Sequence, residues 1–113
     1  MMATLMGLKT VSPAELQQLI QDRQVTVVDV NSSQSWEKAR VPGALNLDAE
    51  SFSDSDLPRE RDSSLVFYCS NPMCRRAPKA ARRAKNMGYS NVRVMSAGIS
   101  GWLAARMPIE SGR

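Results

Sequence analysis

The chain has 113 residues, 42% of them apolar and 23% charged, the balance of one ordinary globular domain able to bury a core without disulfide staples. No apolar run approaches the ~20 residues that span a bilayer, so no membrane partner is expected. Net charge is +4 with no histidine at all, which excludes Ser–His–Asp triads, Cys–His nucleophile pairs and histidine-containing zinc sites.

The opening "MMATLMGLKT" lacks a basic segment ahead of its weak apolar patch and does not read as a signal peptide. The expected location is therefore cytoplasmic, where the two cysteines, Cys69 and Cys74, are expected as thiols. Ser12-Pro13-Ala14-Glu15 combines an N-cap, a proline at the first helical position and a capping-box glutamate. Leu16, Leu19 and Ile20 give this helix one apolar face, Val11 staples onto Leu16, and the helix should end near Asp22.

Val25 to Val30, "VTVVDV", is a β-branched run with the length of a buried strand. Ser33 to Arg40 suits a short helix around Trp36, and "VPGALNL" a turn at Pro42-Gly43 followed by a short strand. Residues 48 to 62 are polar, mainly acidic and irregular, with room for one helical turn. Ser64 to Tyr68 is apolar throughout and reads as a central strand. Ala77, Ala80, Ala81, Ala84 and Met87 then form the small-residue face of a helix, with Gly88 as its stop. Val92 to Met95 is a further strand, and Gly98 to Ala105 a last helix that packs Trp102 and Leu103.

Strands alternating with helices imply an α/β domain with a mostly parallel sheet covered on both faces. All of residues 1–113 read as this single domain, its core over about residues 8–107. Ligands of such sheets bind at the carboxyl ends of the strands, and Cys69 stands at one. The chain must then turn and start a helix whose free N–H groups and positive dipole end favour an anion. A thiolate placed there is stabilised relative to the thiol.

Arg75 to Lys85 holds six basic residues and no acidic one, while the remainder carries nine basic against eleven acidic. Arg75 and Arg76 oppose the helix dipole, at a cost of some tenths of a kcal/mol each, a placement that favours anion binding. The alternatives are a buried, structural Cys69 and a solvated basic helix face. Nucleic acid is not the expected partner of this patch. With no histidine and no acidic residue near the cysteines in sequence, neither a metal nor another cofactor is expected.

These elements resemble the rhodanese-like superfamily over nearly the whole chain. "VTVVDVNSSQSWEKARVPGALNL" is similar to the family's first signature, a strand ending in Asp-Val, a short helix and a Pro-Gly-Ala turn. "LVFYC" resembles the strand that delivers the catalytic cysteine, and "KAARRAKNMGYSNVRVMSAGISGW" the helix, strand and closing Gly-x-x-x-Trp element that follow. The resemblance implies a central, mostly parallel sheet of about five strands flanked by helices on both faces. It makes Cys69 the residue that accepts sulfane sulfur from a donor such as thiosulfate, as a persulfide, and passes it to a thiol or cyanide. The donor's anionic group would rest on the loop of Ser70, Asn71, Pro72, Met73, Cys74 and Arg75, on its backbone amides, with Arg75 or Arg76 as side-chain partner. The implied partners are a small anionic sulfur donor, a thiol acceptor and a sulfur-relay protein.

The chain departs from the family pattern at three places. Asn31 follows Asp-Val where an arginine is usual, Ala39-Arg40 replaces Gly-His, and the cysteine loop is longer and carries Cys74. A Cys-x4-Cys loop resembles a variant within the superfamily. Cys69 to Arg75 also spells C-x5-R, as in phosphatases and arsenate reductases of the same superfamily, so an oxyanion enzyme is one alternative. A non-catalytic rhodanese-like module that docks an acidic partner is another. Cys74 is either a packing residue or a resolving thiol for a persulfide or sulfenate on Cys69, which requires Cα atoms within ~7 Å. Asp29, Asn46 and Trp102 are expected to hold loops and core rather than substrate.

Overall fold

The structure is a computed structural model that describes residues 7–113, so most of the amino-terminal patch discussed above lies outside the described residues. One sheet contains β1 (Lys9–Thr10), β2 (Thr26–Asp29), β3 (Leu45–Asn46), β4 (Ser64–Tyr68) and β5 (Asn91–Val94), in the spatial order β1-β5-β4-β2-β3. Every strand pair is parallel. The connections carry α1 (Pro13–Gln21), α2 (Ser33–Lys38), a 3-10 turn (Asp54–Asp56) and α3 (Arg76–Asn86), and α4 (Gly98–Ala104) follows β5. This is the α/β domain with a parallel sheet that the alternation of elements predicts.

β4 is central because it can be buried on both faces. Leu65 and Phe67 point into a cluster with Val28, Val30, Val92, Ala80, Ala81 and Ala84. Val66 and Tyr68 point the other way, among Leu16, Val27, Val41 and Trp102. Successive residues of a strand face opposite sides, so a continuous apolar run suits an interior strand covered on both faces. α3 lays its alanine face on β4 and β5, and those small side chains let the helix come close to the sheet. Gly88, at φ +101°, follows the helix in the left-handed region that its lack of Cβ permits.

The capping box forms at α1: the Ser12 N–H donates to Glu15 Oε1 at 2.8 Å, and the Glu15 N–H to Ser12 Oγ at 3.1 Å. The acidic segment before β4 is tied down as well. Arg83 donates through Nε and Nη2 to the Phe52 carbonyl, and the Tyr89 hydroxyl donates to the Pro58 carbonyl. Among the described residues no helix is long and apolar enough to cross a membrane.

Two features differ from expectation. β1 is an additional strand, two exposed residues paired with Arg93 and Val94 of β5. Leu103 is exposed where Trp102 is wholly buried, because only one of two adjacent residues on the short α4 can face the sheet. Asp29, Asn46 and Tyr68 end their strands side by side, Asp29 in register with both others. That edge carries the candidate site.

Candidate active site

Cys69 leaves the carboxyl end of β4 almost fully buried, 3% exposed. The loop beyond it is shaped by Asn71 and Pro72. The Asn71 side-chain oxygen accepts from the Met73 N–H at 2.9 Å, and its carbonyl from the Cys74 N–H at 3.1 Å. Asparagine and proline are the residues that make such a turn without outside help. The turn brings the Cys74 Cα to 6.4 Å from that of Cys69, inside the range a disulfide needs, and the two cysteines are bonded. The expectation of two thiols is corrected here: a curled loop has made neighbours of residues five apart.

α4 fixes the other side of the loop. The Ile99 N–H donates to the Cys69 carbonyl at 2.9 Å and the Ser100 N–H to the Ser70 carbonyl at 3.0 Å. Gly98 makes this approach possible: at φ +67° a Cβ would stand 2.5 Å from the Asn71 nitrogen and 2.6 Å from the Ser70 carbonyl carbon. This hydrogen bonding holds the loop alongside the disulfide. It also narrows the amide cradle that the resemblance implies. Pro72 has no N–H, and those of Met73 and Cys74 are engaged by Asn71, leaving Ser70, Asn71 and Arg75 without a partner among the described residues.

Beneath the loop runs a buried polar cluster. The Tyr68 hydroxyl donates to Asp29 Oδ2 at 2.5 Å and accepts from the Val41 N–H at 3.1 Å. Asp29 Oδ1 accepts from the Asn31 N–H at 2.8 Å. Asn46 Nδ2 donates to the carbonyls of Asp29 and Asn31. Burial raises the Asp29 carboxyl above its ordinary range, against the pull of its hydrogen bonds to Tyr68 and Asn31 and of the cations Arg40 and Arg76. Burial and the neighbouring Asp29 push the Tyr68 hydroxyl further up, so it stays a donor. Trp102 donates from Nε1 to the Pro108 carbonyl at 2.7 Å. Asp29, Asn46 and Trp102 thus hold loops and core, as expected of them.

Asn31 joins this cluster to the loop. Its Oδ1 accepts from Ser70 Oγ at 2.8 Å and from Arg76 Nη2 at 3.2 Å. Arg76 Nη2 also lies 3.4 Å from Ser70 Oγ. Of the two candidate arginines, then, Arg76 turns across the loop. The Arg75 side chain makes no hydrogen bond or ion pair among the described residues. Asn31, Gly98 and the Tyr68 hydroxyl are the contributors that sequence reasoning did not assign. The available signals were the departure at Asn31 and a tyrosine ending an otherwise apolar strand.

An open cleft of about 410 Å³ fronts the loop, lined by Ser70, Asn71, Met73, Cys74, Arg75, Arg76 and Lys79, with Ala49 and Glu50 opposite. Met73 projects 82% exposed at its rim. Cys74 lines this cleft and Cys69 does not; both cysteines border a small recess of about 10 Å³ with Pro72, Ala77 and Met95. Glu50 is the one acid against three cations, so the cleft favours a small anion. A wider recess of about 510 Å³ at the amino ends of β2 and β3, lined by Ile20, Val25, Pro42 and Leu45 among others, contains neither sulfur nor a comparable cation cluster. Among the described residues no three His, Cys, Asp or Glu side chains gather as a metal site would require.

Comparison with known proteins agrees with this fold. A family model described as Rhodanese-like domain matches residues 12–105. The chain is 27% identical over 111 residues to the thiosulfate:glutathione sulfurtransferase of Homo sapiens, covering 86% of this chain and 95% of that protein. It is 29% identical over 102 residues to the HTH-type transcriptional regulator Rv0324 of Mycobacterium tuberculosis, covering 90% of this chain but only 45% of the regulator's length. The crystal structure of BH2092 protein from Bacillus halodurans superposes with a TM-score of 0.82 at 23% identity, over 91% of this chain and 77% of that one, which establishes likeness of fold.

Proposed function

The chain belongs to the rhodanese-like domain family, and from that premise we propose that it is a sulfurtransferase carrying sulfane sulfur on Cys69. The observation that carries the proposal is the position of Cys69 at the carboxyl end of the central strand, beneath a cationic cleft, with Arg76 turned across its loop. In the opened, dithiol form, the Cys69 thiolate attacks the outer sulfur of thiosulfate and sulfite leaves with the electron pair of the broken S–S bond. The persulfide that remains is passed to a thiol or cyanide. Arg76 meets the sulfonate end of the donor, with Ser70, Asn71 and Arg75 supplying unpartnered amides, while Arg75 and Lys79 raise the local concentration of anions. The activity named for the human relative supports this substrate class.

Sulfur transfer requires the bridge to be open, which fits a reducing setting such as the cytoplasm. The acceptor is a small thiol or a thiol on a sulfur-relay protein. An oxyanion enzyme would use the C-x5-R arginine, Arg75, whereas Arg76 makes the loop contacts.

To test the function, the reduced, desalted protein is mixed with thiosulfate and both sulfite release and intact mass are followed. One sulfite per chain is expected from the native sequence, and none from Cys69→Ser. Sulfite release that survives in Cys69→Ser, or its absence with the native chain across thiosulfate, polysulfide and cysteine persulfide donors, would remove the proposal.

A further inference from the structure

We propose that Cys74 is a second catalytic thiol, which discharges the Cys69 persulfide as hydrogen sulfide by closing the Cys69–Cys74 bridge. The inference rests on the sulfurtransferase proposal above and deepens it by naming the product and the route of reset. Three observations converge on it.

The first is the bridge itself, between the only two cysteines of the chain. The second is that the loop is held in the closing geometry by contacts other than the bond itself: Asn71 to Met73 and Cys74 on one side, Ile99 and Ser100 to Cys69 and Ser70 on the other. A thiol so placed reacts as an intramolecular nucleophile, at an effective concentration orders of magnitude above that of any dissolved acceptor. The third is the difference in access. Cys74 is half-buried and lines the open cleft, whereas Cys69 is almost fully buried and does not line it.

The cycle balances. The Cys69 thiolate takes the outer sulfur of thiosulfate and releases sulfite. The Cys74 thiolate then attacks Cys69 Sγ, the Sγ–S bond of the persulfide breaks, and the outer sulfur leaves as hydrosulfide with the electron pair. Both cysteines are oxidised by one electron each, and the sulfane sulfur is reduced by two. Reset needs a reductant, a pair of external thiols or one dithiol. The first thiol enters by the cleft and attacks Cys74 Sγ, expelling Cys69 as thiolate; the second attacks the resulting mixed disulfide and frees Cys74. Overall, thiosulfate and two thiols give sulfite, hydrogen sulfide and one disulfide. The cations Arg75, Arg76 and Lys79 around the entry point select anionic thiols for this step.

The decisive experiment is a single turnover under anaerobic conditions, with fully reduced, desalted protein and one equivalent of thiosulfate. Native protein should release one sulfite and one sulfide per chain and end two hydrogens lighter, with no sulfur retained. Cys74→Ser should release one sulfite but no sulfide, and should keep one sulfur atom on Cys69 until an external thiol is added. If native protein instead keeps the extra sulfur and Cys74 remains open to alkylation, Cys74 is not a resolving thiol and only the simple transfer reaction stands. If neither protein releases sulfite, the sulfurtransferase proposal fails and this one falls with it. For the reset step, limiting glutathione is added to the bridged protein and the mixed disulfide is located by peptide mapping. It should sit on Cys74; a mixed disulfide on Cys69 would overturn the route.

Discussion

The cysteine loop and the polar cluster beneath it occupy the same edge of the sheet, yet they are held in opposite ways. The cluster is made of side chains: Asp29 and Tyr68 are fully buried, and each of the polar atoms that join them has a partner. The loop is held mainly by backbone groups around two sulfurs, with Asn71 Oδ1 and Ser70 Oγ as side-chain ties and one side open to the cleft. Asn31 belongs to both, donating its N–H to Asp29 and accepting through its side-chain oxygen from Ser70 and Arg76. On the proposed cycle, the hydrogen-bonded floor keeps the geometry while the loop above it changes its bonding. Removing pieces of the two regions should therefore have different consequences, in stability for the floor and in chemistry for the loop.

Within the floor, Tyr68→Phe should have the largest effect on stability. It leaves a carboxylate oxygen and the Val41 N–H without a partner inside the protein, at a cost of about 1–3 kcal/mol. Chemical denaturation of the reduced protein measures this, and a change of a few tenths would mean that water reaches the site. Gly98→Ala should follow, at about 1–2 kcal/mol for the left-handed backbone alone. Its Cβ must also push Ser70 and Asn71 away, so sulfite release should slow even where the fold survives. Unchanged turnover in a destabilised Gly98→Ala protein would separate loop position from function.

Arg76→Ala should leave unfolding nearly unchanged and lower kcat/KM for thiosulfate by about tenfold, ~1.4 kcal/mol of transition-state stabilisation. Arg75→Ala should do less, because its side chain is not joined to the loop. The reverse order would bring back the C-x5-R cradle and, with it, oxyanion chemistry.

The legible parts of the fold were those in which one element states its own environment. "SLVFY" can only be buried on two faces, and the alanines of α3 mark a helix that lies close to a sheet. The strand-end position of Cys69 followed from the same run. β1 was not legible, because two exposed residues carry no period and their pairing is set by β5 more than eighty residues later. The bridge could be posed as a distance but not decided, since the Cys-x4-Cys spacing does not say which way the loop curls. Asn31 was visible only as a departure from the family pattern; its use depends on Ser70 and Arg76 arriving from β4 and α3.

The smallest effect expected is a pH dependence that belongs to the floor. In the folded protein the Asp29 carboxyl is raised above its ordinary value, chiefly by burial. A raised carboxyl binds its proton more readily folded than unfolded, so between the unfolded and folded values the native state holds more protons. Stability due to Asp29 is then fully present below the ordinary aspartate range, near pH ~3.9, and is lost as pH rises through the folded value. Other carboxylates, such as Glu15, whose bonds to Ser12 lower it, act in the opposite sense, so the whole-protein curve does not isolate Asp29. The difference between native protein and Asp29→Asn does. The amide oxygen still accepts from the Asn31 N–H, and the substitution removes the titration. The stability advantage of the native chain over Asp29→Asn should shrink as pH rises from the ordinary aspartate range and then level off. A difference that stays flat, or grows with pH, would mean that Asp29 titrates as an ordinary or stabilised carboxylate and that its pairing with Tyr68 outweighs its burial.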